Sequence, residues 1–180
     1  MGTIIIGAKI GNLAVIACDR RISHDDDFYQ DDDDKFLDVG DGFIIACSGN
    51  ARTAQIAERM INRRADVHFD TKNDVIDFAE DLQVELERLG AGRPDSNALP
   101  ECPSEFMIGQ SGNLWTVDTD FFVSNVSDYS CIGCGHLIGY GAMGMAWRGK
   151  ARNKDTLELA IRVVCARNQF CGGEANIRSH

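Results

Sequence analysis

Apolar runs alternate with turn residues along the first fifty positions. Residues 3–8 form a β-branched apolar stretch, Gly11-Asn12 is turn chemistry, and residues 13–17 are a second apolar stretch. Together they predict a β-hairpin. After an acidic segment, residues 36–39 and 43–47 flank Gly40-Asp41-Gly42 and predict a second hairpin. These runs are apolar at successive positions, as expected of strands covered on both faces. The period then changes. Ala54, Ala57, Met60 and Ile61 keep helical spacing, as do Val75, Phe78, Ala79, Leu82 and Leu86 before Gly90 and Gly92.

A further hairpin is expected over residues 106–117, turning at Ser111-Gly112-Asn113. A strand over residues 129–132 leads into a helix over 136–147. Leu157, Ala160, Ile161 and Val164 mark a last helix, and a short strand closes the pattern after Gly173. No repeat or linker divides the chain, so residues 1–180 are expected to form one domain. Strands, two helices, strands, two helices, strand is an α+β order that suits a four-layer α-β-β-α sandwich; a two-layer α+β domain fits it less well.

Composition narrows the function. A net charge of −10 argues against nucleic acid, which needs a basic face. Seven of the negatives, Asp25, Asp26, Asp27, Asp31, Asp32, Asp33 and Asp34, lie in one segment that reads as a solvated acidic loop. It lacks the glycine and terminal glutamate of an EF-hand. No stretch of about 20 apolar residues and no signal-peptide pattern occurs, so a cytoplasmic protein without membrane contact is expected. The seven cysteines are odd in number and do not suggest a disulfide framework. Cys131-x-x-Cys134 has no second pair to complete a zinc site. The cysteines read as reduced, mostly buried small hydrophobes.

Four features in the first fifty residues carry candidate chemistry. Gly2-Thr3 opens the first strand, Asp19-Arg20-Arg21 ends the second, Lys35 opens the third, and Ser48-Gly49-Asn50 turns the fourth into a helix. Alone, each is weak: a threonine opening a strand is ordinarily structural, and a lone lysine is ordinarily at the surface. Together they resemble the N-terminal nucleophile hydrolases, specifically proteasome β subunits and the bacterial peptidase HslV. Asp19 stands sixteen residues after Thr3 and Lys35 thirty-two after it, as in that family. Gly133-Cys134-Gly135 falls where the family has Gly-Ser-Gly, and Asn168-x-x-Cys171-Gly172-Gly173 where the proteasome branch has Asp-x-x-Ser-Gly-Gly.

The resemblance implies a threonine endopeptidase. Thr3 becomes N-terminal once Met1 and a then autocatalytically removed Gly2 are gone. A threonine hydroxyl needs an adjacent base, and its own α-amine, titrating near ~8 against ~10.4 for lysine, can serve. Lys35 would stabilise the developing alkoxide, Asp19 would hold that lysine charged and oriented, and the Gly49 N–H would meet the oxyanion. Cys134, Asn168 and Cys171 would surround the amine. Thiols are weaker donors than the family's hydroxyls, and Asn168 cannot carry a charge, so looser tuning is expected. By register, Ile22, Asp33, Cys47 and Ala51 would line the substrate pocket, with Asp33 favouring a basic side chain. The chemistry needs no cofactor. The HslV branch implies a structural Na+ or Mg2+ on the backbone carbonyls of Cys165, Asn168 and Cys171.

The same resemblance implies a homo-oligomeric ring of the β-only, HslV kind that degrades polypeptide, with an ATP-dependent unfoldase as partner. Two other readings stay open: a non-catalytic shell or scaffold subunit, and a small-molecule amidohydrolase of the same superfamily.

Overall fold

Alternation along the first hairpin decides where the layers form. The computed structural model describes residues 2–24, 27–30, 35–64, 66–91, 101–148 and 152–180. Strand β1 (Ile5–Ile10) pairs antiparallel with β2 (Leu13–Cys18), Ile5 opposite Cys18. Ile4, Ile6 and Ala8 face one apolar layer together with Val15 and Ala17. Ile5 faces a second layer with Ala14, Ile16 and Cys18. Side chains two apart share a face of a strand, so a run apolar at every position must be covered twice.

Two four-stranded antiparallel sheets result. The first has the order β10-β2-β1-β9, where β9 is Tyr129–Ile132 and β10 is Asn176–Ser179. The second is a meander of β5 (Ile44–Gly49), β6 (Ser104–Gln110), β7 (Asn113–Val117) and β8 (Val123–Asn125). The sheets meet through Ile5, Ile16, Phe36, Ala46, Met107 and Leu114, all buried. On the outer face of the first sheet lie α3 (His136–Ala146) and α4 (Lys154–Arg167), packed through Met143, Leu157, Ala160, Ile161 and Val164. On the outer face of the second lie α1 (Ala51–Asn62) and α2 (Lys72–Arg88). This is the expected α-β-β-α sandwich. None of the described helices is long and apolar enough to cross a membrane.

An edge-to-face series of rings fills the α1/α2 layer. Phe43 and Phe69 lie 4.9 Å apart, Phe69 and Phe78 5.6 Å, and Phe78 and Phe106 6.1 Å, all near perpendicular. Phe69 belongs to a connecting segment, and its N–H donates to Gln110 Oε1 at 2.6 Å. Phe69→Ala should therefore lower stability by about 3–5 kcal/mol, read as a lower urea midpoint with an unchanged slope.

Two expectations need correction, and one strand was not foreseen. Residues 36–39 make no strand: Phe36 forms a single bridge to Ala46, and β5 takes β6 as its ladder partner instead. The cause is the meander, whose β6 pairs with β5 through all six of its residues from Ile44 to Gly49. The acidic segment is not loop throughout. Its flanks pair as β3 (Arg21–His24) and β4 (Asp27–Gln30), while residues 25, 26 and 31–34 lie outside the described ones. Strand β8, three residues long, carried too short a pattern to be expected.

Candidate active site

The fixed spacings in the sequence are consequences of strand register. Ile5 pairs with Cys18, so the next rung beyond the hairpin's open end sets Ile4 against Asp19. Asp19 N–H donates to Ile4 O at 3.2 Å, and Ile4 N–H donates to Asp19 Oδ1 at 2.9 Å. On the other side of β1, Ile5 pairs with Ile132, which carries Gly133 and Cys134 toward Ile4 and Thr3. Thr3 N–H donates to Cys134 Sγ at 3.3 Å, and Gly135 N–H to Thr3 O at 3.2 Å. A residue at the mouth of the central strand is thus clamped from both neighbours.

The second sheet delivers the cation. Lys35 immediately precedes the bridge at Phe36, and its carbonyl accepts the Cys47 N–H at 2.9 Å. Its Nζ forms an ion pair with Asp19 Oδ1 and donates to Gly2 O at 3.5 Å. Asp19 is fully buried, and its second oxygen accepts the Gly172 N–H at 2.9 Å. A buried carboxylate is tolerable only when its lone pairs are met, and here two backbone amides and an ammonium meet them. The Lys35 side chain is 7% exposed. The ammonium is therefore held in low dielectric between the carboxylate and the Thr3 end of β1.

Gly49 ends β5 at φ +122°, and a Cβ there would lie 2.7 Å from Ser104 Cα. Only glycine fits so close an approach at positive φ. Asn50 then caps α1: its side chain accepts the Arg52 N–H at 2.8 Å, and its own N–H donates to Ser104 Oγ at 2.9 Å. The turn therefore sits at the positive end of a helix, which favours developing negative charge.

Around Cys134 the polar groups converge on sulfur. Asn168 Nδ2 donates to Cys134 O at 3.3 Å and to Cys134 Sγ at 3.7 Å, and the Cys171 and Cys134 sulfurs are 3.9 Å apart. Asn168 and Cys171 thus reach Thr3 through Cys134. The Cys171 donor does most to lower the Cys134 thiol, to about 6, with the Thr3 N–H and Asn168 adding and partial burial opposing. The same hydrogen bond, then burial and the Asp19 charge, raise Cys171. Cys134 Sγ is thus the sulfur on which the Thr3 N–H, Asn168 Nδ2 and Cys171 converge.

The pocket and cation residues are less gathered. Ile22 lies in β3, next to the Arg21 whose Nη1 donates to Gln169 O at 2.8 Å, and Asp33 lies outside the described residues. Cys47 packs into the α1/α2 layer at 8% exposure, its thiol pushed up to about 12 mainly by burial. Ala51 is exposed at the first turn of α1. Cys165 occupies the last turn of α4, and Asn168 O already accepts the Cys171 N–H at 3.1 Å. Among the described residues, no group of three His, Cys, Asp or Glu could hold a metal ion.

Two buttresses were not foreseen. Glu105 Oε2 accepts the Gly133 N–H at 2.9 Å, and Ser104 fixes Asn50 after the Gly49 turn. Their one signal is a polar Ser-Glu pair opening the apolar run of β6.

The sequence model of the proteasome subunit family matches residues 1–174. Among solved structures the chain is similar to Thiobacillus denitrificans BPH in complex with epoxomicin, at 15% identity and a TM-score of 0.87 over 98% of this chain and 97% of that one. The same BPH in a second structure gives 16% identity and 0.87 over the same shares. Eukaryotic HslV from Trypanosoma brucei gives 14% identity and 0.74 over 98% of each chain. At such identities the likeness is one of fold. No curated protein matches the chain.

Proposed function

The chain belongs to the proteasome subunit family, and on that premise we propose that it is a threonine endopeptidase whose nucleophile is Thr3 after removal of Met1 and Gly2. The observation that carries this reading is the buried Lys35–Asp19 ion pair at the Thr3 end of β1. An ion pair buried there costs desolvation and is a poor choice for stability alone. It suits a site where an alkoxide must form.

The first reaction would be on the chain itself. Lys35 Nζ donates to Gly2 O, the carbonyl of the bond to be broken. Polarised in this way, the Gly2 carbonyl carbon is open to Thr3 Oγ, giving an ester that water hydrolyses to free the Thr3 amine. Gly2 itself is packed so tightly that a Cβ would sit 2.6 Å from the Phe170 carbonyl carbon. A larger residue there would displace the bond from the nucleophile.

Turnover then follows from the same groups. The free amine takes the Thr3 hydroxyl proton as Oγ attacks a substrate carbonyl, and later returns it to the leaving amine. Lys35 lowers the energy of the alkoxide while Asp19 keeps it charged and aimed. The Gly49 N–H, at the positive end of α1, donates to the tetrahedral oxyanion, a contact typically worth about 3–4 kcal/mol. Cys134 accepts a hydrogen from the amine and orients its lone pair, with Asn168 and Cys171 positioning Cys134.

The family's pattern extends the proposal to a homo-oligomeric, self-compartmentalising ring in the cytoplasm, fed unfolded polypeptide by an ATP-dependent unfoldase. The carbonyls of Cys165, Asn168 and Cys171, at the negative end of α4, suit a structural Na+ or Mg2+. Ile22, Asp33, Cys47 and Ala51 remain the proposed pocket residues.

Intact mass of the wild-type protein, joined to casein degradation, tests the reading. Loss of Met1 and Gly2 together with casein cleavage is expected. Fluorogenic peptides ending in Arg should be cut faster than those ending in Leu or Glu, from the Asp33 charge. A wild-type chain that keeps Gly2 and leaves casein intact would leave only a shell subunit. Hydrolysis of glutamine or penicillin in place of casein would point to a small-molecule amidohydrolase.

A further inference from the structure

The thiol pair beside Thr3 has chemistry that peptide hydrolysis does not use. Cys134 lies in the turn between β9 and α3, and Cys171 in the segment between α4 and β10, with their sulfurs 3.9 Å apart. Cys134 is exposed and Cys171 buried behind it. The pairing places an accessible thiol in front of a shielded one at the active site. We propose that Cys134 and Cys171 form a modification site for low-molecular-weight disulfides, closing into a disulfide that silences the Thr3 site until it is reduced.

Reactivity separates this pair from the other cysteines. Cys18, Cys47, Cys102 and Cys131 are buried, and burial pushes the last three up to about 12, 11 and 12. Cys165 is partly exposed, but burial raises it to about 11. Cys134 is the exposed thiol of the pair, and its sulfur accepts from the Thr3 N–H and Asn168 Nδ2, contacts that favour its thiolate. The thiolate is the species that attacks a disulfide.

The steps balance. Cys134 Sγ attacks one sulfur of the small disulfide, forming a mixed disulfide and expelling one thiolate. Capping leaves the Cys171 thiol beside the mixed disulfide. The Cys171 proton passes to the expelled thiolate, Cys171 Sγ attacks Cys134 Sγ, and the second small molecule leaves as a thiolate that takes a proton from water. Two protein thiols are oxidised to one disulfide, and the small disulfide is reduced to two thiols. The sulfurs must close to about 2.05 Å, and the bonded, uncharged Cys134 Sγ is no longer a thiolate acceptor for the Thr3 nitrogen it now meets at 3.3 Å. The amine then lacks its acceptor. This consequence for turnover, unlike the bond itself, rests on the peptidase reading.

The experiment treats wild type and Thr3→Ala with oxidised glutathione and digests both without reduction. Each protein should lose about 2 Da and yield one linked peptide joining Cys134 and Cys171. In Cys171→Ser, glutathione should instead remain on Cys134. Casein cleavage by wild type should fall at least about tenfold and return with dithiothreitol. A stable glutathione adduct on wild-type Cys134, a bridge between other cysteines, or no reaction overturns the site. A bridged wild type that cleaves casein at its full rate overturns the switch. Bridging in a wild type that never cleaved casein upholds the site and removes the peptidase reading.

Discussion

Thr3→Ala should abolish casein cleavage, a fall of at least on the order of 10³-fold, while the chain keeps Gly2. Both results come from one missing atom. Oγ is the proposed attacking group for both the Gly2 carbonyl and substrate, so its removal takes away both reactions. Cys134 Sγ contacts Thr3 N, but it does so as an acceptor from the far side of the β1–β9 rung. Thr3 is buried, so some loss of stability is expected too, about 1 kcal/mol for the deleted polar and methyl atoms. That is far too little to unfold the sandwich. Thr3→Ser should keep the attacking oxygen and retain part of the rate. Wild-type casein cleavage by Thr3→Ala, or a Thr3→Ala chain that still sheds Gly2, would remove Thr3 from the reaction.

Asp19→Ala carries the second large effect, and it falls on folding as well as on rate. The carboxylate is fully buried and accepts from Ile4 N, Gly172 N and Lys35 Nζ. Removing it strands an ammonium that is almost out of water, and breaking a buried pair this way costs about 3–5 kcal/mol. The two orphaned amides add to that. A urea titration should show the midpoint falling sharply. Asp19→Asn keeps an acceptor but brings an NH2 toward the ammonium, so it should recover part of the stability and little activity. An unchanged midpoint in Asp19→Ala would mean the pair is not buried as described.

The layers were legible because β2 is apolar at every position and β1 at all but Gly7 and Lys9, which forces cover on both faces. The spacing of Thr3, Asp19 and Lys35 was legible for a related reason. A hairpin's register converts a fixed sequence separation into adjacency, and Ile5 opposite Cys18 leads directly to Ile4 opposite Asp19. Lys35 was harder, since the run after it looked like a strand and makes one bridge. Its position depends on β5, and β5 depends on pairing with a strand some sixty residues away. Glu105 and Ser104 stayed hidden for the same cause. Their partners, Gly133 and Asn50, are brought to them by long-range pairing that no local pattern encodes. Cys47 differs again: side-chain alternation along β5 packs it against the α1/α2 layer, and its proposed pocket role rests on the family's register alone.

A chain terminus usually frays, because nothing holds the last residues on more than one side. Thr3 stands at the head of a strand flanked by β2 and β9, in the interior of its sheet. The conformational entropy of the proposed nucleophile is therefore removed when the sandwich folds, before any substrate arrives. Affinity for a polypeptide need not be spent on ordering the nucleophile. A loosely bound, featureless stretch of chain can then be cut as readily as a tightly recognised one, which is what broad degradation requires.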